Sequence, residues 1–406
     1  MVEAANYYRN VTFSKVNSFM ALMVVVSIFS RELGKGSLFG LDFDWISYPF
    51  YVLFFLGLLL TNRFFIDKFI FSFFIVILFG GIYSKLYLNL ALQPFFKQFL
   101  PIFVIFSSVS YVIRRNDIQS LFELYIKGVV LSAILGVIQL ILKLFGIKFL
   151  TQFSWINIDS IAEEPSHYAA ILLPGIVYCL INYKIFKKEF YLLIFTLIFT
   201  FNLTAYVVFS LMLLIVYRKI YYLLLVLPIL GALGVYLYNI DPLIKFRIDE
   251  SANYLITQDI KNTHGTPLSF FSNLQVALNN VKLNPISGSG LGGHEEMYYK
   301  YFSNNPFSRL DYLFGLNAKS AHSLSIRVLS EIGVVGFLLF IYNLCKVFLI
   351  EKNTKYYAIA LASFSHFLCK TLKLGNYFDL GTPFFFLMIV YAYIEYNNSK
   401  LYDKVH

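Results

Sequence analysis

The chain runs to 406 residues, 58% hydrophobic and 19% aromatic against only 14% charged, with a formal net charge of +10. A soluble domain does not keep that balance in water, so the composition predicts an integral membrane protein. Lysines and arginines stand singly or in pairs between apolar runs, which excludes a dense nucleic-acid-binding face and leaves them as topology signals.

The first stretch, MVEAANYYRNVTFSK, is polar ahead of any apolar run, unlike a cleaved signal peptide, so the first span is expected to stay. The apolar runs that follow have the length a helix needs to cross roughly 30 Å of hydrocarbon. Alternating strand-like segments are absent, which favours an all-α polytopic bundle over a β-barrel. Spans are predicted near 14–33, 46–62, 66–84, 88–112, 118–145, 166–182, 188–203, 204–219, 220–239, 322–350, 355–374 and 378–396, about twelve crossings in all. Only FNLTAY separates 188–203 from 204–219, and merging those two would invert the topology beyond them.

Arg9, Lys15, Arg63, Lys68, Arg114, Arg115, Lys184, Lys187, Lys188, Arg218, Lys219, Lys352, Lys355, Lys400 and Lys404 gather on one set of joints. The excess of positive charge predicts that this side, with both termini, is cytoplasmic. Two long polar joints then share the outer face: 146–165 and 240–321, the latter about 80 residues where a handful is usual. The expected organisation is therefore spans one to nine in 1–239, an outer cap in 240–321, spans ten to twelve in 322–396 and a tail in 397–406. Within the cap, FSNLQVALNNVKL places Phe271, Leu274, Ala277, Leu278 and Val281 at helical spacing, which predicts an amphipathic helix. Cys179, Cys345 and Cys369 lie inside apolar segments without metal-ligand spacing, so they are expected to pack in the core, with neither a disulfide nor a metal site.

Chemistry-bearing residues collect at the outer joints. In AKSAHSLSIRVLSEIGVVGFLLF, helical geometry puts His322, Ser325, Leu329, Gly333 and Gly336 on one stripe and Ser323, Arg327 and Glu331 on another. The glycines would admit a neighbouring helix, and Arg327 with Glu331 reads equally as an ion pair inside the bundle or as part of a site. His322 stands at the water boundary, where an imidazole can take a proton from a hydroxyl or serve as a hydrogen-bonding anchor. In AEEPSHYAA, Ser166 could cap the next helix behind Pro165, while Glu163 or Glu164 could face a cavity. The run NPISGSGLGGH, with Gly288, Gly290, Gly292 and His294, lacks the strand and the GK[ST] of a nucleotide loop, yet its backbone could hold another anion such as a lipid diphosphate. Lys245, Arg247, Lys282, Lys300, Arg309 and Lys319 in the same cap could hold a diphosphate or meet lipid headgroups.

The order of these features resembles the O-antigen polymerase (Wzy-type) and O-antigen ligase superfamily. The elements that carry the likeness are Glu164-Pro165-Ser166, Asn284-Pro285 through Gly288, Gly290 and Gly292, and His322, Glu331, Gly333 and Gly336 ahead of a span. The likeness implies a membrane-embedded (GT-C-type) glycosyltransferase on the outer face of the bacterial inner membrane, inverting and independent of metal or other cofactor. Its implied partners are an undecaprenyl-diphosphate-linked donor and acceptor, with membrane lipids around it and a chain-length regulator as a further candidate, and no nucleic acid. By the same likeness His322 polarises the acceptor hydroxyl and Arg247 grips the diphosphate, while Glu164 is the carboxylate expected to orient a hydroxyl or stay ionised near a developing positive charge. This chain has Ser323 where many members carry asparagine and lacks an arginine ahead of the cap helix, so Arg309, Lys319 or Arg327 could stand in for Arg247.

Overall fold

The computed structural model describes residues 15–33, 44–61, 68–147, 157–162, 164–217, 265–303, 314–379 and 381–405, with scattered positions between 228 and 256. Most of the predicted span 220–239 and the candidate cations Arg247 and Arg309 lie outside the described residues. Thirteen α-helices and no strand occur in that set: α1 (Lys15–Leu33), α2 (Asp44–Leu60), α3 (Lys68–Tyr87), α4 (Leu92–Arg115), α5 (Ile118–Leu144), α6 (Pro165–Ile181), α7 (Lys187–Ile198), α8 (Leu203–Tyr217), α9 (Gly265–Leu283), α10 (Gly293–Phe302), α11 (Leu324–Cys345), α12 (Lys355–Leu372) and α13 (Thr382–Val405).

Long apolar helices set the architecture. Four segments are long and apolar enough to cross a membrane, Ile70–Tyr87, Leu92–Arg115, Ile118–Leu144 and Leu324–Leu349, and four shorter apolar helices accompany them. Their outer faces carry Leu53, Leu60, Phe79, Leu131 and Leu338 exposed, a density of bare hydrocarbon that suits lipid and not water. Helices α7 and α8 are separate, as FNLTAY predicts, but at 12 and 15 residues they are short. At 1.5 Å per residue neither covers the roughly 30 Å of a hydrocarbon core by itself.

The buried centre is the stack of α6 and α13 against α12. Tyr168, Ile171, Leu172 and Ile176 of α6 meet Ile359, Leu361 and Phe367 of α12 in one continuous apolar core with Phe384, Phe385 and Leu387 of α13. Helices α9 and α10 fall within the segment expected to form the cap, and α9 packs along α11. Residues 158–162, within the polar joint 146–165, are buried, with Asp159 and Ser160 each 1% exposed. Gln139 of α5 accepts from the amides of both (3.2 and 2.9 Å), and Lys143 donates to the Asn157 carbonyl at 2.6 Å, so polar groups on a span pull the loop inward.

Three further expectations change. The buried face of α9 is polar, through Ser269, Ser272, Asn273 and Asn280 beside Val276 and Ala277, while Leu278 is exposed. The expected helix forms and Phe271, Leu274 and Ala277 do pack against the core, but polar groups share that face because each has partners on other elements. The second change concerns the tenth span, which is not one helix: Gly333 interrupts it with φ +73° and ψ −172°. Third, Cys345 is exposed, whereas Cys179 and Cys369 are buried as expected.

Candidate functional site

Two sequence runs far apart close on each other at the break in α11. A β-carbon on Gly333 would lie 2.5 Å from the Ile286 carbonyl oxygen and 2.7 Å from the Gly288 nitrogen, so the neighbour it admits is the NPISGSGLGG loop and not a helix. That loop supplies what the broken helix lacks: the Ser289 amide donates to the Ser330 carbonyl at 2.9 Å, and the Val334 amide donates to the Pro285 carbonyl at 2.8 Å. Unsatisfied backbone groups are costly in a bundle, and these two bonds satisfy the ends of both half-helices. Gly290 (φ +76°) faces Gly81 of α3, whose carbonyl oxygen would stand 2.9 Å from an added β-carbon. The loop does hold an anion, but it is the protein's own: the Gly292 amide donates to Glu331 at 3.0 Å.

Glu331 and Arg327 are the centre of a closed network. Arg327, 3% exposed, donates from Nε to Glu331 (3.3 Å), from one terminal nitrogen to the Gly375 carbonyl (3.2 Å) and Asn376 (3.1 Å), and from the other to Gln98 (2.9 Å). Its guanidinium also lies 4.5 Å from the centre of the Tyr377 ring, and the Tyr377 hydroxyl donates to Glu331 at 2.8 Å. So many internal bonds favour the ion-pair reading of Arg327 and fix the turn 373–379 beneath the cap. From the other side Lys370 donates to the Asn376 carbonyl at 2.6 Å and pairs with Asp379.

His294 is consumed in the cap. Asn273 donates its amide to two carbonyls, Ser269 at 2.6 Å and Leu316 at 3.2 Å, so its oxygen faces His294 and must accept from Nε2–H at 2.9 Å. Nδ1 then accepts from Ser330 at 2.7 Å. Burial, with the nearby Arg327, lowers its pKa to about 3, so the ring is neutral and joins α9, α10 and α11.

His322 is held differently. It does not lie in the first turn of α11: Ser323 is the N-cap, accepting from the Ile326 amide, and both Ala321 (φ +54°) and His322 (φ +62°) sit in the left-handed region. Side chains there cost about 1–3 kcal/mol each and persist where surrounding structure fixes them, which is common at functional sites. The His322 carbonyl accepts from the Leu374 amide at 2.9 Å, tying it to the end of α12. Its Nδ1 lies 3.1 Å from the Ser269 hydroxyl. Ser269 has the Leu316 carbonyl as an acceptor at 3.2 Å and the Asn317 amide as a donor at 2.9 Å. The Asn317 amide also lies 3.5 Å from Nδ1; in the tautomer whose Nδ1–H donates to Ser269 the lone pair lies on Nε2, a nitrogen with no hydrogen-bond partner among the described residues. Burial first, and then the charge of Lys373, lowers the His322 pKa to about 4, so the imidazole is neutral near pH 7.

The EPS segment arrives at the same place. Glu164 occupies the N-cap position of α6 and Pro165 its first turn, but Ser166 does not cap; its hydroxyl donates to Glu164 at 3.0 Å and accepts from Lys373 at 3.2 Å. Lys373 and Glu164 are also paired at 3.8 Å. The structure thus brings Lys373 within electrostatic reach of His322, ties Glu164 to Lys373, and leaves Lys319 exposed in the turn before His322. Lys373 escaped sequence reading because the apolar run 355–374 placed it inside a span, whereas α12 ends at Leu372. A cavity of about 360 Å³ opens beside the helix break between α3 and α11, lined by Gly80, Tyr83, Asn284, Ser287 and Glu331 among others; His322 does not line it.

Comparison with known proteins bears on the segment of the chain that builds this site. No curated protein matches the sequence significantly. Residues 189–341 match the model of a family described as O-antigen ligase, a segment that takes in the glycine-rich loop, His322, Arg327 and Glu331 but neither Glu164 nor Lys373. That match covers less than half of the chain and is a likeness of this segment, while the long apolar helices are those of a multi-pass membrane protein.

Proposed function

We propose that the chain is a repeat-unit polymerase for a bacterial surface polysaccharide, O-antigen or capsule. It transfers the growing glycan from undecaprenyl diphosphate to the non-reducing end of another lipid-linked repeat unit. The observation that carries this reading is His322, neutral, oriented through Nδ1 and with Nε2 left for a substrate hydroxyl. The acceptor oxygen attacks the anomeric carbon from the face opposite the diphosphate and its proton passes to Nε2. The bond between that carbon and the phosphate oxygen breaks, and the electron pair leaves with the diphosphate. One displacement inverts the anomeric centre and calls on no metal. Arg247 of the cap is assigned to the diphosphate.

The topology proposed with this function has twelve crossings, both termini in the cytoplasm and the cap on the outer face of the inner membrane, supported by the basic joints. A reporter fused after His406 that is active only in the periplasm would overturn it.

The test uses purified protein and its lipid-linked repeat unit, following chain growth on a gel for the native sequence and for His322→Ala at matched folded protein. Growth by the native chain alone supports the polymerase. The family description favours one second reading, a ligase that moves the finished glycan to lipid A core. Transfer to added lipid A core without chain growth would replace the polymerase by that ligase. Passage of intact substrate across vesicles, with no new glycosidic bond, would replace both by a flippase.

A further inference from the structure

We infer that Lys373 and Ser166 form an anion subsite for the diphosphate of the lipid-linked donor, held in the resting protein by the carboxylate of Glu164. The inference rests on the glycosyl-transfer reading for the identity of its ligand. It starts from a comparison of the cations around His322. Arg327 is buried and donates to four acceptors, and Lys370 is buried among Asn376, Thr382 and Asp379. Lys85 is fully buried and paired with Glu296. Lys319 is exposed and has no hydrogen bond or ion pair among the described residues. Lys373 alone in this group is at once fixed and reachable: its side chain is 38% exposed, its bond to Ser166 is 3.2 Å, and its contact with Glu164 is loose at 3.8 Å.

The backbone fixes where this lysine stands. Leu374, the next residue, has φ +74° and bonds to the His322 carbonyl, while Arg327 and Lys370 grip residues 375 and 376 from opposite sides. The ammonium is therefore presented from a rigid turn next to the imidazole whose charge state it influences. Glu164 offers the same two-oxygen acceptor that a phosphate would, and a half-exposed carboxylate at 3.8 Å is easily displaced. A diphosphate carries more charge and more acceptor oxygens, so it replaces the carboxylate on both Lys373 and the Ser166 hydroxyl.

Two consequences for the transfer step follow from charge balance. As the bond to the anomeric carbon breaks, the departing diphosphate gains one negative charge, and Lys373 opposes it without giving up its proton. With a phosphate beside it, Lys373 no longer suppresses protonation of His322, so donor binding raises the basicity of the group that takes the acceptor's proton. Glu164, released by the donor, is a positioning residue for Lys373 and not a base.

Binding of farnesyl diphosphate to the full chain in phosphatidylcholine nanodiscs tests the subsite apart from turnover. The native protein is expected to bind it, Lys373→Met to bind about tenfold more weakly, Lys373→Arg to stay within about threefold, and Glu164→Gln to bind about threefold more tightly. Native-like binding by Lys373→Met, or no binding by the native chain, overturns the inference. Should Lys373→Met fail to fold, Glu164→Gln decides: tighter binding supports the subsite, and unchanged binding removes it. Abolition of binding by phosphatidylglycerol in the nanodisc would reassign the site to lipid headgroups and overturn the donor assignment. Chain growth by the native protein with diphosphate binding insensitive to Lys373 would remove the subsite and leave the polymerase. Lys373-dependent binding without any glycosyl transfer would do the reverse.

Discussion

Arg327→Met should be among the most damaging single changes in the bundle. The substitution keeps length and removes the charge, leaving Glu331, 2% exposed, with the Gly292 amide and the Tyr377 hydroxyl as its donors among the described residues. It also strips donors from the Gly375 carbonyl, Asn376 and Gln98. Removing one partner of a buried ion pair costs about 3–5 kcal/mol, because the other charge stays behind without compensation. Glu331→Gln strands Arg327 in the same way, although three neutral acceptors remain to it, so its cost should fall near the lower end of that range. If the two act as a unit, Arg327→Met with Glu331→Gln loses less than the sum of the singles, by at least about 2 kcal/mol. Reversible unfolding in mixed micelles with rising dodecyl sulfate, followed by near-ultraviolet circular dichroism, measures all four corners of the cycle. A loss below about 1 kcal/mol for Arg327→Met, or singles that add within about 0.5 kcal/mol, would refute the network as the fastener of the 373–379 turn.

His322→Ala should lower glycosyl transfer about 10²- to 10⁴-fold at unchanged thermal stability, and a drop under tenfold would remove the imidazole from proton transfer. Because the neutral ring is the active form, kcat/KM should be full above the His322 pKa of about 4 and fall as pH drops through it. In Lys373→Met the burial contribution stays and the charge contribution goes, so this acid limb should move upward toward the ordinary histidine range; an unmoved limb would separate the two residues. His294, with a folded pKa of about 3 against about 6.5 unfolded, binds more protons when unfolded, so stability should decline as pH falls from about 6.5 toward 3 and melting at pH 5 should precede melting at pH 7. Gly333→Ala sets a β-carbon against backbone at 2.5 Å in a left-handed conformation and should cost upward of about 2 kcal/mol, seen as lost monodisperse protein; native-like yield and melting would argue against the closed helix break.

Most helices were legible because apolar length and helical propensity are local properties: the expected 118–145 became Ile118–Leu144, and the weak joint FNLTAY does separate one helix from the next. Candidate site residues could be named from the sequence, but not their geometry. Helical spacing put His322 on a face of α11, whereas its positive φ takes it out of that helix altogether. In Glu331-x-Gly333 the sequence signalled close approach, yet nothing local says that the approaching partner is a loop bonded to both sides of a break. The buried polar stripe of α9 is the same failure seen from the other side, since its serines and asparagines bond to His294, Tyr298, Leu316, Asn317, His322 and Ser330, none of them nearby in the chain. Lys373 was hidden by hydropathy itself, which draws a span to the last apolar residue and takes no account of where the helix stops.

The closed break in α11 also orders events in time. Ser289 and Ser330, which the loop joins, are 41 positions apart, and the loop comes first. A ribosome covers that distance in on the order of seconds, so the piece that completes the helix is already made when the interrupted span emerges. The second half of α11 arrives with a docking partner waiting, and no stage of synthesis has to hold a bare helix break in lipid. A rearranged gene that places residues 324–406 ahead of the cap would encode the same contacts in the opposite order, and that order would leave the break open for as long as the cap takes to appear.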